Sequence, residues 1–185
     1  DRGTWFPEVV KRLSDNPKVI ILQRDIFEVF ASFIKWANNN IDNFIYTNVP
    51  SRKPEQVMSY LSEYGNVQTS ARMIYTYQKY VKENNDIDIM YIDYKDLTGD
   101  TENVINNLYD FLEVDSFQHD LNNIKDFEFE GQKYNDNRTG QNLHKLKEGS
   151  IETTTHDIEW LFPRNLYARW VNMNELIYTP EQLEE

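Results

Sequence analysis

In "KVIILQRDIFEVFASFIKW", Lys18 to Trp36, the spacing of hydrophobic positions changes partway along. Lys18 to Gln23 is a short, nearly continuous apolar run rich in β-branched residues, the pattern of a strand buried on both faces. From Asp25 onward Ile26, Val29, Phe30, Phe33, Ile34 and Ala37 follow at intervals of 3, 1, 3, 1 and 3, which draws a single stripe along a helix. Upstream, "TWFPEVVKRLSDNP" predicts a short helix with Pro7 in its first turn and Val9, Val10 and Leu13 inward, closed by Asp15-Asn16-Pro17.

Downstream, "NNNIDNFIYTNVPSRKP" is a polar, proline-punctuated connection of about 17 residues, longer than usual and so a candidate for covering a ligand. Pro54 to Tyr64 and Thr69 to Lys82 predict two helices, the second with Met73, Ile74, Tyr77, Tyr80 and Val81 on one side. "IDIMYIDY", Ile87 to Tyr94, predicts a second buried strand. After it, Asp100 or Thr101 caps a helix whose Val104, Ile105, Leu108, Phe111 and Leu112 face the core. Strands separated by helices imply parallel pairing through right-handed crossovers, hence an α/β domain.

Composition narrows the function classes. A chain of 185 residues, 39% hydrophobic, encloses a substantial core, and its length predicts one domain or at most two small ones. The formal net charge of −12 argues against a nucleic-acid binder, because phosphate-backbone affinity comes from dispersed Lys and Arg; any anion site has to be local. Absence of cysteine removes disulfides, thiolate metal sites and a Cys nucleophile, and accommodates a reducing, cytoplasmic setting, which is the expected location. No apolar run is long enough for a membrane segment, and the start "DRGTWFPEVV" is not a signal peptide.

Arg24 is the residue out of place, a guanidinium where a buried strand turns into a helix. Ligands of parallel α/β sheets gather at the carboxyl ends of strands, where an anion accepts hydrogen bonds from the next helix's first turn and a guanidinium adds a charge-assisted pair. Ser32, eight residues on, lies at the border of the apolar stripe and is the second polar candidate. Two alternatives stay open: Arg24 as an ion-pair partner of Asp25 or Glu28, and Ser32 as a small residue that permits close packing.

The stretch "VIILQRDIFEVFASF" resembles the segment of sulfotransferases that binds the 3′-phosphate of 3′-phosphoadenosine 5′-phosphosulfate, where a hydrophobic strand ends in Arg and a Ser follows eight residues later. The family often has Pro second after the Arg; here that residue is Ile26. "IMYIDYKDLTGDTENVINNLYDFLEVD" is similar to the family's strand ending in Tyr-x-Asp-Leu, and "NLHKLKEGSIETT" to its late basic loop before a Gly, in the Leu-His version of bacterial and viral members. The resemblance implies a three-layer α/β/α, P-loop NTPase-like fold with a central parallel sheet. It also implies that Arg24 and Ser32 hold the 3′-phosphate, that Tyr94 approaches adenine, and that Lys145, Lys147 and Gly149 close over the phosphate. Tyr94 can equally pack under the next helix, and Asp96 reads as a turn or capping residue.

Between Gly131 and Gly149 four basic residues face two acidic ones, a local excess of cations in an acidic chain, and the polar loop is expected to order over bound nucleotide. His144 adjoins this loop and is the candidate for the catalytic group, which is otherwise unknown; His119 and His156 read as solvated. The family's opening Gly-rich phosphosulfate loop has no counterpart before Arg24, so the expectation is one sulfotransferase-like domain, residues 1–185, that begins inside the domain. Implied by resemblance are the phosphosulfate as sulfuryl donor, 3′-phosphoadenosine 5′-phosphate as product, no metal, and a small-molecule or carbohydrate acceptor with a hydroxyl or amine. A non-catalytic nucleotide-binding module on the same core is the second reading, and a nucleotide or nucleoside kinase, which would need a Gly-Lys-Ser/Thr loop, the third.

Overall fold

The computed structural model describes residues 6–39, 66–125, 128–129, 132–133 and 148–156. In chain order these form α1 (Pro7–Leu13), β1 (Lys18–Gln23), α2 (Ile26–Asn39), α3 (Asn66–Glu83), β2 (Asp88–Asp93), α4 (Tyr94–Gly99), α5 (Thr101–Leu112), β3 (Glu128–Phe129) and β4 (Gln132–Lys133). The helix expected over Pro54 to Tyr64 lies outside the described residues, as does the long connection before it except Asn38 and Asn39, which end α2.

β1 and β2 pair in parallel, from Lys18 opposite Asp88 to Gln23 opposite Asp93, with α2 and α3 in the crossover between them. β3 and β4 form a separate antiparallel pair. The core lies on one face of the parallel pair. Ile26, Phe27, Phe30 and Ile34 of α2 pack with Ile21 of β1 and Val67, Ile74 and Tyr77 of α3, and Phe30 and Ile26 are among the most completely buried side chains. Each such side chain contributes roughly 1.5–3 kcal/mol by leaving water. Met73, Tyr80 and Val81 pack at the margin of the same cluster, so the periodicity of α3 is realised as expected.

Two expectations are corrected. β1 is not buried on both faces: Ile21 points into the core, whereas Ile20 and Leu22 are 43% and 57% exposed. Parallel partners share a face, so Leu22 lies beside buried Ile92, and the helix on that face, α5, packs against β2. In α1, Pro7 is buried but Leu13 is 80% exposed, because a seven-residue helix turns only one narrow edge, Pro7 and Val10, toward the fold.

Capping explains where α2 begins. The Asp25 carboxylate accepts from the backbone N–H of Phe27 at 2.8 Å and of Glu28 at 3.1 Å, and its carbonyl accepts from Val29. At the far end of β1, Lys18 donates to the carbonyl of Phe111 at 2.5 Å and pairs with Glu113 at 2.8 Å, placing a cation at the C-terminus of α5. Glu113 closes that helix in the left-handed region, φ 57°, where glycine is the usual choice.

Candidate functional site

Strand register creates the site. Gln23 lies opposite Asp93, so the next residues, Arg24 and Tyr94, leave adjacent parallel strands at the same level. Neighbouring strands run roughly 4.8 Å apart, and the Arg24 guanidinium comes to rest 4.1 Å from the centroid of the Tyr94 ring, a cation–π contact. After β2 the chain forms the short helix α4, which starts at Tyr94 and contains Asp96. Its cap is Asp93, whose carboxylate accepts from the Lys95 N–H at 2.7 Å, rather than Asp96.

A strap of residues 148–156 completes the surroundings. Gly149 exchanges two backbone hydrogen bonds with Ile124, of 2.8 and 2.9 Å. Thr153 then passes close to Gly99 at the end of α4, and the carbonyl of Thr154 accepts from Arg24 Nη2 at 3.0 Å. The same Nη2 donates to Glu28 at 3.0 Å, and the Glu28 carboxylate accepts the backbone N–H of His156 at 3.0 and 3.2 Å. Arg24, the first turn of α2 and the strap are thus tied by one carboxylate. The ion-pair alternative for Arg24 is realised with Glu28, while the Asp25 carboxylate caps α2.

Beside Arg24 opens a cavity of about 350 Å³ between the end of β1, α2 and α3. Val29 and Phe33 from α2 and Val67 and Ala71 from α3 make it mainly apolar, while Gln23, Arg24, Ser70 and Tyr94 bring polar atoms to its lining. Gln23 Oε1 is buried without a hydrogen-bond partner among the described residues.

The sequence-predicted residues therefore divide. Arg24 and Tyr94 meet. Ser32 lies half-buried on α2, one turn beyond Glu28 on the same flank, and is not among the residues lining the cavity. Gly149 has φ 105°, which favours glycine, but its N–H goes to Ile124 and is not offered to an anion. The expectation that the first turn of α2 donates to an anion is likewise overturned for Phe27 and Glu28, whose N–H groups Asp25 already holds. Lys145, Lys147 and His144 lie outside the described residues. His119 is not merely solvated: its Nε2 lies 2.7 Å from the Tyr109 hydroxyl, with Phe117 against its ring edge-on. His156 contributes its backbone N–H to Glu28. Thr154, His156 and the orphaned Gln23 oxygen were missed; the 130-residue separation of Thr154 from Arg24 leaves no local signal, whereas Glu28 was legible at i+4 from Arg24. Among the described residues no cluster of His, Cys, Asp or Glu is arranged to hold a metal, and no helix is long and apolar enough to cross a membrane.

Residues 6–184 match the family model described as a sulfotransferase domain. Neither a curated protein nor a solved structure matches the chain.

Proposed function

This chain belongs to the sulfotransferase family, and we propose that it transfers a sulfuryl group from 3′-phosphoadenosine 5′-phosphosulfate to the hydroxyl or amine of a small-molecule or carbohydrate acceptor. The observation that carries this reading is the Arg24 guanidinium at the carboxyl end of a parallel strand, stacked on Tyr94 and bordering a 350 Å³ cavity.

The residues present fit such a nucleotide. Arg24 supplies a delocalised cation for the 3′-phosphate, and Ser32, on the flank of α2 above Glu28, supplies a hydroxyl. Tyr94 offers an aromatic face for a planar base. Gln23 Oε1, buried at the cavity and unpaired among the described residues, is an acceptor for an N–H or O–H that a ligand brings. The bound donor supplies the activated sulfuryl group. What this chain's residues supply is binding energy and orientation: fixing the phosphate end of the nucleotide turns a bimolecular encounter into a positioned one.

The test is acceptor-dependent release of 3′-phosphoadenosine 5′-phosphate from sulfur-labelled donor, with a panel of phenols, sugars and amines. The expected result is label transferred to at least one acceptor class and lost in Arg24→Ala. Tight binding of the bisphosphate without turnover on any acceptor would assign the chain to the nucleotide-binding modules instead.

A further inference from the structure

Both hydrogen bonds that Arg24 makes among the described residues leave through one nitrogen. Nη2 donates to Glu28 Oε2 and to the Thr154 carbonyl, each at 3.0 Å. Nη2 carries two protons, so both are committed. A guanidinium grips an oxyanion with two parallel N–H groups in two ways, Nε with Nη2 or Nη1 with Nη2, and each uses a proton of Nη2. A bidentate anion therefore cannot simply add to Arg24. It has to replace Glu28 or Thr154.

Glu28 is the one to yield. The Thr154 carbonyl is neutral and tolerates an anion beside it, whereas the Glu28 carboxylate repels one across the same guanidinium. Release also strands no group, because the Glu28 oxygens keep the N–H of His156, 3.0 and 3.2 Å away. Until then Glu28 is a carboxylate held against Arg24 at the high effective concentration of an i+4 neighbour.

We propose that Glu28 is a specificity-determining residue of this site, an internal competitor that an incoming oxyanion has to outbid in charge. A dianionic phosphate monoester displaces it; a carboxylate or other monoanion, offering Arg24 no more than Glu28 already does, is refused. The inference rests on the reading of Arg24 as the phosphate-binding residue, and deepens it by making the site selective for the dianion.

Glu28→Gln tests this, since it removes the charge while keeping an acceptor for both Nη2 and the His156 N–H. Calorimetry with 3′-phosphoadenosine 5′-phosphate should show affinity about 3- to 10-fold tighter in Glu28→Gln than in the native protein, with 5′-AMP changed less than about twofold. In parallel, the Arg24 Nε–H resonance should respond to inorganic phosphate in both proteins but to acetate only in Glu28→Gln. Weaker bisphosphate binding in a variant with unchanged melting temperature would overturn the proposal and make Glu28 a support for Arg24. Equal tightening toward both nucleotides, or a native Arg24 resonance that follows acetate as readily as phosphate, would overturn it too. A native protein that binds the bisphosphate no better than 5′-AMP defeats the nucleotide reading alone; the phosphate and acetate titrations then decide the selectivity of Arg24 by themselves.

Discussion

The two ends of β1 each carry a cation, and they use it differently. Lys18 at the amino end is enclosed: the Phe111 carbonyl, the Glu113 carboxylate and the Phe111 ring, 5.5 Å away, surround an ammonium on a side chain that is only 15% exposed. Arg24 at the carboxyl end is no less engaged, yet its partners are a carboxylate with a second hydrogen bond to fall back on and the carbonyl of a strap, and it borders a cavity. The Lys18 carbonyl partner belongs to the last turn of a helix and is fixed by it. A charged residue at a strand end is thus no site in itself. Open volume, and a carboxylate that keeps a second hydrogen bond, are what the proposed phosphate site requires and what the Lys18 end lacks.

The contrast is sharpest in Arg24→Ala. Loss of a charge-assisted, bidentate contact should weaken bisphosphate binding by about 2–4 kcal/mol, with little change in 5′-AMP affinity; the melting temperature should fall as well, because Glu28 and the Thr154 carbonyl lose Arg24 as donor. Arg24→Lys should recover only part of the loss, since an ammonium offers charge without the fork. Ser32→Ala should weaken the bisphosphate by about 1.5–3 kcal/mol, less than additively with Arg24→Ala if both residues hold one phosphate. Equal weakening of both nucleotides in Arg24→Ala would make the two ends equivalent and erase the distinction.

Lys18→Met should do the opposite, lowering stability by about 1–3 kcal/mol, because the C-terminal carbonyl of α5 loses its donor, and leaving nucleotide affinity unchanged; denaturant unfolding beside calorimetry checks both halves. Gly149→Ala meets no atom within 4 Å, yet φ 105° strains any L side chain. A cost of about 1–3 kcal/mol, with hydrogen exchange accelerated at Ile124 and along the strap, is expected.

Much of this was legible in the chain. The 3, 1, 3, 1, 3 spacing after Asp25 located α2 because an amphipathic helix advertises its buried stripe, and the apolar runs located β1 and β2. Arg24 stood out because a guanidinium seldom ends a buried strand. What stayed hidden was set by register and long-range contact. No local pattern says that Gln23 faces Asp93, and only that pairing brings Arg24 onto Tyr94. The exposure of Ile20 and Leu22 depends on which strand α5 covers, and a short apolar run reads the same with one face buried or two. Gly149 was singled out as a residue that closes over the phosphate, whereas it holds a positive φ and its N–H goes to Ile124 on a distant segment, which no local pattern announces.

The smallest expected effect is a pH dependence at the enclosed end. The hydrogen bond from Lys18 holds the Glu113 carboxyl below the ordinary glutamate range. A depressed carboxylate stabilises the fold above its unfolded value, and the contribution fades as pH falls through the folded one. Between pH 5 and 3 the native protein should therefore lose slightly more melting temperature than Glu113→Gln; identical acid profiles would show that the pair contributes nothing at the surface.

The most direct test of Arg24 as the end of β1 that binds nucleotide phosphate is calorimetric titration of the native protein with 3′-phosphoadenosine 5′-phosphate and, separately, with 5′-AMP. If Arg24 holds the 3′-phosphate, the bisphosphate binds tighter by about the 2–4 kcal/mol assigned to that contact, a factor of roughly 30 to 1,000. Equal affinity for the two nucleotides would contradict it.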